Sequence, residues 1–380
     1  MTGIAVTVGL LWCSAAQAAA GVVSATPLGS LQTNGTVYAI AVSGTTAYIG
    51  GSFSRVRPAG TAAGASSEVA RKNLAAVSLT TGKLLAWDGA ANAPVRAIAV
   101  SSTGVYIGGD FTASDGIAAS YVAELNRTTG ARVTAFGGRA NAPVEALVLD
   151  GSTLFMGGRF TASDHIARNH LSAVNAITGK LVPGWLAGAN SEVRAMTMSA
   201  DGSKLIIGGQ FTAVDGKSQA SIAAVSPASG ALIVWGGSSS TLPVIALTAD
   251  GSGVYAGTGG AGGTLQAFDP STGALMWEDG ANGDVQAVAV AGGVVYAGGH
   301  FKSYCGPGPG AESCSGSAVA RLKLFAVDEP TGATLQSWAP NPNSVLGVYA
   351  LTYGDSTLTA GGAFTKVAGR AQQGFAMFRG

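Results

Sequence analysis

Apolar residues recur along this chain in short runs, separated by glycine-rich turns, and the runs follow one another in a fixed order. Each repeat opens with V-x-A-h-x-h or a close relative, where h is apolar, beginning at Val37, Val95, Val144, Val193, Val244, Val285 and Val348. A second run ends in a double glycine, or its decayed form, at Gly50, Gly108, Gly157, Gly208, Gly257, Gly298 and Gly361. Six of these continue G-G-x-F, with Phe53, Phe111, Phe160, Phe211, Phe301 and Phe364. A third run starts at Leu74, Val122, Leu171, Ile222, Leu265 and Leu324, and a turn glycine follows each, from Gly82 to Gly332. Beyond that glycine stands an aromatic: Trp87, Phe136, Trp185, Trp235, Trp277 or Trp338. Short runs bounded by glycine predict strands. The dipeptides Asp150-Gly151, Asp201-Gly202 and Asp250-Gly251 offer the positive φ that tight hairpins need. Each unit therefore predicts a four-stranded antiparallel sheet.

The double glycines lie 41 to 63 residues apart, and a period of this length built only of strands predicts the blades of a β-propeller. The runs are apolar on both faces, as in Val37-Tyr38-Ala39-Ile40-Ala41-Val42. Sheets stacked radially bury both faces, whereas a sandwich would alternate more strictly. The last unit ends at Phe375–Phe378 without its outer strand, and Val22–Thr26 precedes the first unit where a fourth strand would stand. The N-terminus is thus expected to complete the last blade and pair two open edges. The expected fold is all-β: a seven-bladed β-propeller of four-stranded antiparallel blades, closed by an N-terminal strand, with residues 21–380 as a single domain.

Of 380 residues, 47% are hydrophobic and 11% charged, with a net charge of +1. No basic stripe is present to displace counterions from a polyanion, so nucleic acid is not an expected partner. Residues 1–20 read as a secretory signal peptide, with an apolar run from Ile4 to Trp12 and an Ala16-Gln17-Ala18 cleavage pattern but no basic start. The segment is too short for a stable membrane span, and a secreted, extracellular, monomeric bacterial protein is expected. Cys305 and Cys314 remain after removal of Cys13, and an even pair in an exported chain predicts a disulfide.

Ala267-Phe268-Asp269-Pro270-Ser271-Thr272-Gly273, ending in Trp277, resembles the A-x-D-x-x-T-G-x-x-x-W repeat of quinoprotein-like propellers, and Ala326 to Gly332 matches it in part. The sequence G-G-x-F followed by Thr-Ala-x-Asp-Gly, at Thr112–Gly116 and Thr212–Gly216, resembles delta-60-repeat propellers of secreted bacterial proteins. The double glycine is kelch-like. These resemblances imply the fold and leave function open. Quinoprotein enzymes of this kind have adjacent cysteines, and kelch-type oxidases a Tyr, His and Cys copper site. This chain has no adjacent cysteines and three histidines, His165, His170 and His300, in two units. No cofactor and no metal are assigned.

Candidate binding residues come from asymmetry among the copies. The strand two-to-three connection takes 11 residues in most units, but 21 from Phe53 to Leu74 and 23 from Phe301 to Leu324. Variation over a rigid scaffold marks the face that carries function. The x of V-x-A, at Tyr38, Arg96, Glu145, Arg194, Ile245, Gln286 and Tyr349, is expected to ring the channel mouth on that face. The x of G-G-x-F adds Asp110, Arg159, Gln210 and His300. These positions read either as solvated salt bridges, such as Arg96–Glu145–Arg194, or as a polar ligand site. Asp115, Asp164 and Asp215, like the recurrent Asn34, Asn92, Asn141, Asn190 and Asn282, read as turn formers. The expected role is binding of a protein or carbohydrate ligand; the alternative is a carbohydrate-active or oxidative enzyme using the channel mouth.

Overall fold

The computed structural model describes residues 21–236, 242–260, 262–310, 314 and 318–380; the signal peptide assigned to residues 1–20 lies outside them. Strands form and no helix appears among the described residues. Each repeat makes an antiparallel sheet in the predicted order. In the second, Val95–Val100 pairs with Gly104–Gly109, which pairs with Val122–Asn126. The same meander recurs from Thr36–Ser43, Thr46–Ser52 and Leu74–Ser78 in the first unit to Val348–Gly354, Thr357–Gly362 and Phe375–Arg379 in the seventh.

The fourth strand departs from expectation. It is a strand only in the fourth unit, as Leu232–Ile233, and the fifth, as Leu275–Ala281. Elsewhere it shrinks to one bridge, as in Val77↔Leu84, Leu125↔Arg132, Val174↔Leu181 and Val327↔Thr334. The aromatic reaches the neighbouring unit whether its segment leaves the ladder or stays in it, as Trp277 does opposite Ala267. Trp87 stacks edge-on against Tyr48 of its own sheet, 5.2 Å between centroids, and its indole donates to the Asn126 carbonyl of the next unit. Trp185 reaches Ser226, Trp235 reaches Pro270 and Trp277 reaches Glu329 in the same way. An indole needs a polar partner when buried; in these four the neighbouring unit's turn carbonyl supplies it, whereas the buried Trp338 Nε1 has none.

The double glycine has two separate causes. A Cβ on the first glycine would stand 2.5–2.8 Å from Cγ1 of the valine that opens the following unit. Gly50 meets Val95, Gly108 meets Val144, and so on through Gly298 and Val348; Gly361 meets Val37 of the first unit. Real Cβ contacts are never that short, so glycine lets neighbouring sheets approach. A Cβ on the second glycine would collide with the carbonyl before its own unit's valine, as at Gly109 and Pro94. The core is correspondingly a series of clusters between neighbouring sheets. One gathers Phe155, Trp185, Val193, Ile207 and Phe211 from the third and fourth units.

The Asp-x-x-Thr-Gly and Asn-x-Thr-Thr-Gly turns hold the third strand to the segment after it. Asp269 Oδ1 accepts from the Ser271 and Thr272 N–H groups and from the Thr272 hydroxyl; Asn126 repeats the arrangement. The motif behind the quinoprotein-like resemblance is thus a self-bonded turn.

At the chain ends the expected strand at Val22–Thr26 does not form: Ser24 N–H donates to the Arg379 carbonyl and Leu28 makes a single bridge to Met377. Buried Gln372 donates to the Ser30 and Leu31 carbonyls, and buried Arg57 donates to Gln32 and Gln373. Val23 packs in the cluster that contains Trp338 and Phe378.

Candidate functional site

One face gathers the strand two-to-three segments and the connections into each next first strand. Asparagine clips join the two. Asn92 Oδ1 accepts from the Thr112 and Ala113 N–H groups while its Nδ2 donates to the Thr112 hydroxyl. Asn34, Asn141, Asn190 and Asn282 clip their units through the same backbone positions. Asn343, which the sequence reading passed over, clips the seventh.

The strand two-to-three segments are small hairpins, not open loops. Ala113–Ser114 pairs with Ile117–Ala118, and the third, fourth and seventh units repeat this. Asp115, Asp164 and Asp215 sit at their tips with φ near +50°, as turn formers. The longer excursions are braced: Arg55–Arg57 lies between Gln32–Thr33 and Val69–Ala70. Ser303–Pro307 pairs with Val319–Ala320 and with Leu275–Ala281 of the preceding unit. The predicted disulfide between Cys305 and Cys314 is present in that excursion.

At the centre of this face the first strands of all seven repeats line a cavity of about 420 Å³. Each x of V-x-A is a β-bulge. Val95 pairs with Gly109 and Ala97 with Gly108, leaving Arg96 unopposed, and the same skip occurs in every unit. A bulge re-aims its side chain, and here it turns seven side chains of five kinds onto one cavity: Tyr38, Arg96, Glu145, Arg194, Ile245, Gln286 and Tyr349. The invariant alanines and the apolar residues after them continue the lining. Periodicity showed these positions to be free; the bulge that aims them was not visible in it.

Six charged residues bond in a chain around one arc. Arg96 holds Asp110 with two bonds, 2.8 and 2.7 Å, and its Nε lies 3.8 Å from Glu145. Arg159 joins Glu145 at 3.0 Å to Glu192 at 3.1 Å, and Glu192 holds Arg194. The expected Arg96–Glu145–Arg194 bridge therefore runs differently: Arg159 stands between, and Arg194 turns to a carboxylate two residues before it in sequence. Glu192 was missed. Its signal was a carboxylate at the position before the unit's valine, where Pro94, Pro143 and Pro243 stand in other units.

Burial pushes the Glu145 carboxyl up, opposed by the Arg96 and Arg159 charges. The Asp110 bond raises Arg96 further above its ordinary value, against the cost of its burial. On the other arc Tyr38 and Tyr349 meet edge to face at 5.1 Å, and the Arg96 guanidinium lies 5.6 Å from the Tyr38 ring centre. Burial raises Tyr349 as well. Gln210 and His300 are exposed and do not line the cavity. His170 takes a structural position instead, its Nδ1 3.0 Å from the Gly158 carbonyl oxygen.

Among the described residues, no group of three or more His, Cys, Asp and Glu stands together as metal ligands. No helix of the described residues is long and apolar enough to cross a membrane.

Repeated antiparallel sheets around a shared cavity define a β-propeller, and the comparison with solved structures agrees. The WD40 β-propeller domain of Doa1 superposes with a TM-score of 0.58 at 11% identity, covering 93% of this chain and 96% of that one. The computationally designed Ika8 protein gives 0.54 at 16% identity, covering 92% and 98%. No protein-family model matches the chain, and no curated protein sequence does.

Proposed function

We propose that this is a secreted binding protein: a closed seven-bladed propeller, residues 21–380, that recognises a protein or glycan ligand on the face carrying the clipped excursions. Closure is supported by the Gly361–Val37 contact and by the N-terminal segment bonded beside Phe375–Arg379. The disulfide suits an oxidising compartment.

One observation carries the functional reading. Seven bulges that are equivalent in the backbone present five kinds of side chain to one cavity, while the flanking valine and alanine stay constant in all seven. A scaffold repeated for stability alone has no use for that asymmetry, whereas a ligand site requires convergent, unlike polar groups. Glu145 and Glu192 are each held by arginine, which favours recognition over acid–base chemistry.

The test is a triple variant, Arg96→Ala, Glu145→Ala and Arg194→Ala, compared with the parent on a glycan array and a panel of immobilised extracellular proteins. Loss of a bound partner with an unchanged thermal midpoint is expected. Binding that survives the triple change, or an absence of any partner on both panels, overturns the proposal.

A further inference from the structure

We propose that the cavity ringed by the bulges takes the terminal ring of an uncharged saccharide. This deepens the reading of the face as a binding surface and rests on it. The first ground is charge. Arg96, Arg159 and Arg194 face Asp110, Glu145 and Glu192 in a continuous alternating chain. The arc therefore carries no net charge. A charged ligand can pair with one member only by loosening another, which leaves a partly buried charge unbalanced. The arginine side chains are the more exposed, Arg159 at 48% against 12% for Glu145, so an incoming ligand meets N–H donors first. A hydroxyl accepts from a guanidinium and donates to a carboxylate oxygen at once, joining the chain without breaking it.

The second ground is the arc beside it. Tyr38, whose ring the Arg96 guanidinium approaches at 5.6 Å, and Tyr349 stand edge to face there, an aromatic wall with hydroxyl groups that suits the C–H face and rim hydroxyls of a sugar ring. Gln286 lies beside them on the same lining, and its amide oxygen is without a donor. The third ground is size: about 420 Å³ falls in the range of small-molecule pockets. Together these describe a polar, uncharged, multiply hydroxylated ligand with one apolar face.

The test uses the purified full chain and calorimetric titration with neutral gluco-, galacto-, manno- and xylo-oligosaccharides. Uronate and amino-sugar oligosaccharides serve as charged comparators, at about 50 and about 500 mM salt. A neutral member is expected to bind with affinity that changes less than about twofold between the two salts, because no ion pair is formed or lost. Tyr38→Ala and Tyr349→Ala should each weaken it about tenfold or more, and Gln286→Ala several-fold. Should an alanine variant fail to fold, saturation transfer from tyrosine ring protons to the sugar in the parent chain supplies the same readout. Preference for a charged comparator overturns the inference, as does neutral binding indifferent to both tyrosines with no transfer from their rings. Binding of an extracellular protein without any saccharide overturns the inference and leaves the binding face standing. No partner of either kind removes both.

Discussion

Asp279 offers a quantitative test of how the fifth and sixth units fit together. It lies within the strand Leu275–Ala281, opposite Leu265 on one side and Pro307 of the next unit's excursion on the other. Only 2% of it is exposed, and its Oδ2 has no hydrogen-bond partner. Burial is the main reason its carboxyl is pushed up from 3.8 to about 6; the Tyr304 hydroxyl opposes the shift and the neighbouring Glu278 charge adds to it. Between those two values the unfolded chain has lost the proton while the folded chain keeps it. The folded state then binds more protons, so stability falls as pH rises through the window and levels off above it. The shift corresponds to about 3 kcal/mol of destabilisation at neutral pH. Asp279→Asn removes the charge while keeping the shape, so the variant should be about as stable as the parent near the unfolded value. It should be more stable by up to about 3 kcal/mol at pH 8. Urea unfolding of both chains across that range measures the difference. A difference that does not grow with pH, or a variant less stable at pH 8, would refute the burial argument.

Two further outcomes follow from the scaffold. Gly157→Ala should cost about 1–3 kcal/mol, because its Cβ would stand 2.8 Å from Val193 Cγ1 and 3.1 Å from Met196 Sδ. Adding Val193→Ala should return part of that loss in denaturant unfolding. Asn141→Ala removes bonds to the Thr161 and Ala162 N–H groups and to the Thr161 hydroxyl. At about 0.5–1.5 kcal/mol for each net bond, and less where water replaces it, global stability should fall by about 1–2 kcal/mol. Hydrogen exchange should accelerate at those two amides while the Thr153–Gly158 strand stays protected.

The positions of the strands were legible in the amino-acid pattern because the repeat imposes the same local demands in each copy. Valine opens the first strand, glycine closes the second, and a turn led by Asp, Asn or Ser follows the third in the first six units. So were the Cys305–Cys314 pairing and the structural standing of the asparagines. The fourth strand is shorter in most units than the pattern predicts, and the indole contact does not require this, since Trp277 makes it from within the ladder.

For the site, sequence alone picked out the variable positions: Tyr38, Arg96, Glu145, Arg159, Arg194, Gln286 and Tyr349 all line the cavity. It could not tell them from Gln210 and His300, which occupy the same repeat position as Arg159 but stay at the surface. Nor did it find Glu192. Which guanidinium meets which carboxylate depends on side chains brought together from different repeats across sheet boundaries. That distance is set by the glycine-lined approach of one sheet to the next and by the bulge that turns each side chain inward. Local sequence dictates the strand, but only the assembled sheets decide who stands opposite whom.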